Sequence, residues 1–133
     1  MRVLFDTNVL ISAFLTEGLC SKLLLRANKG EFELWTCPFI LNEFEEKLKT
    51  QFLFTRPEIE DAVMLLKEIS SNVNPDRVIT GVCRDADDDA VLTCAINAQV
   101  DYIITGDKDL LIIGEYEGIK MINPRVFELL FEG

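Results

Sequence analysis

The sequence contains no histidine, and this absence narrows the chemistry available to the chain. Without histidine it cannot build the Ser-His-Asp or Cys-His arrangements that activate a nucleophile. The four cysteines are widely spaced and form no C-x-x-C pair, so a zinc site is not expected. We expect them to be buried, reduced thiols: Cys20, Cys37, Cys83 and Cys94. Any catalysis by this chain should therefore depend mainly on carboxylates.

Long apolar runs and an excess of basic residues are also missing. No apolar stretch approaches the ~18 residues of a membrane helix, and the first residues do not resemble a signal peptide. We therefore expect a cytoplasmic protein with no membrane association. The chain has 13 Lys and Arg against 23 Asp and Glu, a net charge of −10. This balance argues against a broad basic face that coats nucleic acid. It is compatible with a metal held over a single phosphate.

Segments typical of strands alternate with segments typical of helices along the whole chain. This alternation predicts an α/β fold whose parallel sheet is covered by helices on both faces. The length predicts a single domain over residues 1–133. Strands are expected at 2–6, 32–36, 76–80, 101–107 and 119–123, and helices at 7–15, 19–30, 37–52, 56–72, 87–99 and 124–133.

Carboxylates follow two of the predicted strands directly. Asp6 ends the first apolar strand, and Asp107 follows "DYIITG". In parallel sheets, functional groups gather beyond the carboxyl ends of the strands. A run of four aspartates enters a helix that should begin at the same edge: Asp85, Asp87, Asp88 and Asp89. Each acid alone could be an ordinary cap or turn residue, and at least two of the run should only cap the helix.

Glu43 is a further candidate, because it lies at the edge of the apolar side of its predicted helix. Separate segments of the chain would then bring acids to one edge of the sheet. Two carboxylates ~5 Å apart repel by roughly 3 kcal/mol at an effective dielectric near 20, so a group of three or four requires a cation. Ligand sets made only of oxygen favour Mg²⁺ or Mn²⁺ over zinc.

The stretches "FDTNVLISAF", "LNEF", "RDADDDAVLTCAINAQVDYIITGDKDLL" and "INPRVF" resemble the PIN domain family, in the correct order and over nearly the whole chain. They are most similar to the branch of VapC-like toxins of toxin–antitoxin systems. The resemblance implies a three-layer α/β/α sandwich with a central parallel sheet. It also implies a ribonuclease that depends on Mg²⁺ or Mn²⁺.

The resemblance also assigns roles to individual residues. The four acidic positions of the family fall on Asp6, Glu43, Asp88 and Asp107, of which Asp6, Asp88 and Asp107 are the expected metal ligands. Asn8 matches a polar residue that supports the first aspartate, and Thr105 matches a hydroxyl before the fourth.

Two departures from the pattern leave the register of the aspartate run open. Ala86 stands where this branch often has proline, and Asp89 where it often has asparagine. Asp88 and Asp89 are therefore alternative ligands. Asp85 and Asp109 are further candidates around the metal.

The resulting expectation is an endoribonuclease acting on single-stranded RNA, with Arg84 and Lys108 contacting flanking phosphates. The resemblance further implies a homodimer and an antitoxin protein that blocks the site. One alternative is a phosphotransfer domain with Asp6 as acceptor, of the receiver or haloacid-dehalogenase kind. Against it, "DTN" lacks a second aspartate two positions on, and Lys120 lies inside a strand. The other alternative is a non-catalytic interaction module that keeps the acidic pocket.

Overall fold

The computed structural model describes residues 1–132 as a mostly parallel sheet of six strands with seven helices, a three-layer α/β/α fold. The predicted fold class is confirmed. The strands are β1 (Arg2–Phe5), β2 (Glu33–Thr36), β3 (Ser70–Asn72), β4 (Tyr102–Ile104), β5 (Glu115–Tyr116) and β6 (Ile119–Ile122). The helices are α1 (Thr7–Leu15), α2 (Leu19–Asn28), α3 (Pro38–Thr50), α4 (Arg56–Ile69), α5 (Ala86–Ala98), α6 (Lys108–Ile113) and α7 (Pro124–Leu129).

The sheet has the strand order β3-β2-β1-β4-β6-β5, which places the most apolar strands at its centre. Val3, Leu4 and Phe5 of β1 are almost completely buried, as expected for a strand covered on both faces. Among residues 1–132, no single helix is long and apolar enough to cross a membrane. Helices α1 and α2 reach that length only as a pair bent by 95°.

The prediction of the third strand was wrong. Residues 76–80 form no strand. The helix expected over 56–72 ends at Ile69, and its last three expected residues form β3 instead. Ser70 leaves the helical conformation and pairs with Leu34 of β2. Residues 76–80 are held instead by side chains of α5: Asn97 accepts from the N–H groups of Asp76 and Arg77. These loop amides are therefore satisfied without a neighbouring strand.

Two short elements near the C-terminus were not predicted. Asp107 is the N-cap of helix α6, and its side chain accepts from the N–H groups of Asp109 and Leu110. Strand β5 forms a hairpin with β6 through the two-residue turn Glu117-Gly118, and both turn residues have positive φ. Such turns are typical of tight hairpins. The helix expected over 124–133 ends at Leu129, and the final residue of that prediction, Gly133, lies outside the described residues.

The expectation of four reduced thiols was wrong for two of them. Cys37 and Cys94 are joined by a disulfide, and both are almost completely buried. Their Cα atoms are 6.0 Å apart, a normal separation for bridged cysteines. The sulfur atoms tie the start of α3 to the middle of α5. Cys20 and Cys83 are free and partly buried.

Candidate active site

Asp6 and Thr105 lie side by side at the carboxyl edge of the sheet. Their strands are paired in parallel, with Phe5 opposite Ile104, so the next residues of both strands are neighbours. The buried Thr105 hydroxyl donates to Asp6 Oδ2, and the Val9 N–H donates to Asp6 Oδ1 at 2.9 Å. Burial raises the pKa of Asp6, and these two hydrogen bonds counteract the rise. Asp6 is therefore the N-cap of α1, and the nearby charge of Asp107 adds to the rise of its pKa.

Glu43 reaches the same edge from α3, the helix that follows β2. The hydroxyl of the buried Thr7 donates to Glu43 Oε1. Thr7 is the residue directly after Asp6, so the start of α1 fixes the orientation of Glu43. The structure thus brings the first two predicted acids together at one helix start.

Asp88, Asp107 and Asp109 form the tightest carboxylate group. Each offers one oxygen, and these oxygens all lie within 4.8 Å of one another. The N-cap of α6 fixes two of the three residues, because Asp107 Oδ1 accepts from the Asp109 N–H at 2.9 Å. Asp88 joins them from the first turn of α5. The group contains Asp109 in place of Asp6, the third predicted ligand.

The surroundings of Asp88 disfavour a negative charge. Burial, followed by the charge of Asp107, raises the pKa of Asp88 to about 6, and Asp85, Asp109 and Asp6 add to the rise. The Asp88 carboxylate accepts no hydrogen bond within residues 1–132. A nearby cation would reverse this penalty.

Asp89 and Asp85 have structural roles. Asp89 accepts from the N–H groups of Gly81 at 2.9 Å and Cys83 at 2.8 Å, and the bond from Cys83 is the largest cause of its lowered pKa. Asp89 therefore holds the loop before α5. Asp85 is the N-cap of α5, and its side chain accepts from the Asp87 N–H. Within the run, only Asp88 belongs to the close carboxylate group.

Asn8 has a contact different from the one expected, and the two basic candidates, Arg84 and Lys108, lie at the surface. Asn8 Oδ1 accepts from Lys47 Nζ at 2.9 Å and makes no hydrogen bond to Asp6 in the described chain. Arg84 pairs with Asp109 at 2.8 Å and keeps most of its side chain in solvent. Lys108 is exposed at the start of α6.

Sequence reasoning missed Thr7 and Lys47. Thr7 was seen only as part of "DTN", although a hydroxyl directly after Asp6 was a visible signal. Lys47 lies four residues after Glu43, the spacing that places two side chains on one helix face. Their partners, however, come from other helices, which the sequence does not show.

A comparison with known protein families shows the family to which the chain belongs. A PIN domain model, PIN_3, matches residues 2–109, most of the chain. The chain belongs to the PIN domain family. A search of the curated proteins found no match. PIN domains are generally nucleases that use divalent metals, and the clustered acids of this chain are in keeping with that chemistry.

The residues of this PIN domain fit a divalent cation. The donors are carboxylate oxygens, with no histidine or thiolate among them, which suits Mg²⁺ or Mn²⁺ better than zinc. Asp88, Asp107 and Asp109 would hold the ion. Asp6 lies close enough for its charge to raise the pKa of Asp88, and Glu43 is held by Thr7, the residue after Asp6. These five carboxylates are the acidic centre. When bound, such an ion lowers the pKa of a water molecule and stabilises negative charge on phosphoryl oxygens.

Proposed function

We propose that this protein is a metal-dependent endoribonuclease that cleaves single-stranded RNA. The observation that carries the proposal is the group of Asp88, Asp107 and Asp109, whose oxygens lie within 4.8 Å of one another. Three carboxylates at this spacing repel each other unless a cation lies between them. The group occurs in a family of nucleases, at the edge of the sheet where parallel folds place their active sites.

The acidic residues have different roles in the proposed reaction. Asp88, Asp107 and Asp109 hold the metal, with Asp6 completing the negative surroundings. Glu43 orients the attacking water, because Oε1 is fixed by Thr7 while Oε2 accepts no hydrogen bond within residues 1–132. Thr105 fixes Asp6 by donating to Oδ2.

Basic residues near the acidic centre support the proposal that the substrate is a polyanion. Arg84 extends into solvent beside Asp109, and Lys108 precedes Asp109 on α6. Both can contact phosphates on either side of the cleaved bond. Because such contacts are few, we expect modest affinity and a shallow dependence on salt. RNA, rather than DNA, and single strands, rather than duplexes, follow from the similarity to the toxin branch.

The same similarity supports a toxin role, with a homodimer, an antitoxin protein that covers the site, and a location in the cytoplasm. A short reading frame beside this gene and growth arrest on expression would support the toxin role. Rescue of growth by the product of that frame would identify the antitoxin. Expression without any growth defect would leave a nuclease that is not a toxin.

The phosphotransfer alternative has little support from the geometry. A phosphate acceptor needs an accessible carboxylate oxygen. Asp6 is buried, and each of its oxygens already accepts a hydrogen bond, from Val9 or Thr105. The non-catalytic alternative is an outcome of the experiment below.

The decisive experiment measures cleavage of a fluorescent single-stranded RNA by the purified protein with Mg²⁺, with Mn²⁺ and with excess EDTA. Duplex RNA and single-stranded DNA of the same sequence test the substrate class. Asp88→Asn tests the site, and Asp61→Asn, an exposed acid on α4, is the matched control. We expect metal-dependent cleavage of single-stranded RNA that Asp88→Asn removes and Asp61→Asn preserves.

Two results would oppose the proposal. Cleavage that persists in EDTA, or that survives in Asp88→Asn, would indicate either a contaminating ribonuclease or another mechanism. Metal binding without cleavage of any nucleic acid would favour the non-catalytic interaction module.

A further inference from the structure

Lys47 places a positive charge beside the acidic centre. It lies four residues after Glu43 on α3, so the two side chains occupy the same helix face. It is half-buried, unlike the exposed Lys49 two residues later. The start of α1 contacts two successive turns of α3. Thr7 donates to Glu43, and Asn8 accepts from Lys47 Nζ at 2.9 Å. The ammonium group is therefore held at the start of α1 by its hydrogen bond to Asn8.

The charge of Lys47 is not neutralised by a direct partner. Its contact, Asn8 Oδ1, is a neutral amide oxygen, and Lys47 forms no ion pair within residues 1–132. Arg84 differs, because its guanidinium is paired with Asp109. An ammonium has three N–H donors, so two remain for a ligand.

This arrangement suits an anion that approaches the acidic centre. A lysine that served only to balance the acids would be expected to pair with one of them directly. Here the ammonium is held by an amide close enough to Asp6 for its charge to act on that carboxylate. An RNA strand bound at this edge of the sheet would bring its phosphates near five carboxylates: Asp6, Glu43, Asp88, Asp107 and Asp109.

We propose that Lys47, held by Asn8, binds an RNA backbone phosphate that neighbours the cleaved one, on the α1–α3 side of the acidic centre. The inference rests on the proposed nuclease function. It makes Lys47 a residue that positions the substrate. It also predicts a path for the RNA strand across the site, between Lys47 on α3 and Arg84 before α5.

The test compares three variants with the wild-type protein. Lys47→Gln removes the charge but keeps an N–H donor for Asn8. Lys47→Arg keeps the charge. Lys49→Gln removes the same charge from an exposed position on the same helix. For each, kcat and KM for a single-stranded RNA are measured in Mg²⁺ at several KCl concentrations, and a melting curve checks the fold.

We expect Lys47→Gln to raise KM about three- to tenfold at low salt, with a smaller change in kcat. The slope of log kcat/KM against log[KCl] should become shallower by about 0.7, the value for one lost phosphate contact on a single strand. Lys47→Arg and Lys49→Gln should retain the wild-type slope. If Lys47→Gln melts early, Asn8→Ala provides the second test, because it frees the ammonium without removing charge and should raise KM at unchanged slope.

An unchanged slope and KM in a folded Lys47→Gln variant would overturn the inference and make Lys47 a structural contact between α1 and α3. An equal loss in Lys49→Gln would also overturn it, since the effect would then come from general charge. If the wild-type protein cleaves no RNA, the proposed function fails separately. The salt slope of RNA binding, measured by fluorescence anisotropy in Mg²⁺, then decides the role of Lys47 by the same comparison.

Discussion

Asp88 and Asp89 are consecutive residues of α5, yet their carboxylates lie in opposite electrostatic surroundings. Asp89 accepts two backbone N–H groups, from Gly81 and Cys83, which lower its pKa. Asp88 accepts none within residues 1–132, and burial with the charge of Asp107 raises its pKa to about 6. Adjacent helical residues point ~100° apart, so one turns towards its loop and the other towards the acidic group. One carboxylate stabilises the fold, and the other destabilises it until a cation binds.

Asp89→Ala should therefore destabilise the protein. It leaves the part-buried N–H groups of Gly81 and Cys83 without a protein acceptor, and we expect a cost of about 1 kcal/mol, the lower end for an unpaired group, because water reaches this loop. Asp89→Asn keeps one acceptor oxygen and should cost less. Urea unfolding in EDTA measures both, with the exposed Asp61→Ala as control. Wild-type stability in Asp89→Ala would contradict a structural role for Asp89.

Asp88→Asn should stabilise the metal-free protein in a manner that depends on pH. The folded pKa of Asp88 is above its ordinary value, so protonation favours the folded state, and the wild-type protein loses stability as pH rises from about 4 to 6. The rise from 3.8 to about 6 corresponds to at most about 3 kcal/mol. Melting curves in EDTA should show equal stability near pH 4 and a more stable variant near pH 8.

Addition of Mg²⁺ or Mn²⁺ should make the wild-type protein more stable than Asp88→Asn near pH 8. The reason is that the ion binds the folded wild-type protein more tightly than the folded variant. An equal difference between the two proteins at both pH values would show that the charge of Asp88 is not the cause. A variant less stable at every pH would mean that Asp88 has a structural contact.

Reduction of the bridge between Cys37 and Cys94 should lower the melting temperature. The bridge closes a loop with a sequence separation of 57 residues, and bridges of this kind contribute about 2–4 kcal/mol. For a domain of this size the loss is roughly 5–15 °C. Melting with and without dithiothreitol measures it, and a Cys37→Ala, Cys94→Ala variant should be insensitive to the reductant. If the wild-type protein is equally insensitive, the two thiols are reduced in solution.

The sequence predicted the parts of the fold that depend on local apolar patterns. "RVLF" predicted the central strand, and the acid directly after it predicted one side of the site. Strand β3 could not be predicted, because "SSN" has no strand pattern and becomes a strand only by pairing with β2. Tertiary contacts outweigh local preference at such an edge.

The candidate site was also predictable only in part. The strand ends predicted Asp6 and Asp107, the helix edge predicted Glu43, and the family resemblance selected Asp88 from the aspartate run. The closeness of Asp109 to Asp88 depends on the start of α6, a helix of six residues with little sequence signal. The function of Asp89 depends on loop amides, which no side-chain pattern reveals. The contacts of Lys47 and Cys37 join segments that are distant in sequence.

The central claim is that the carboxylate group around Asp88 binds the metal that cleavage requires. Its most direct test is a calorimetric titration with Mn²⁺ of the wild-type, Asp88→Asn and Asp89→Asn proteins, with RNA cleavage measured on the same samples. We predict that Asp88→Asn weakens Mn²⁺ binding at least about tenfold and removes most cleavage. Asp89→Asn should keep both close to wild type. Full Mn²⁺ affinity and cleavage in Asp88→Asn would contradict this account.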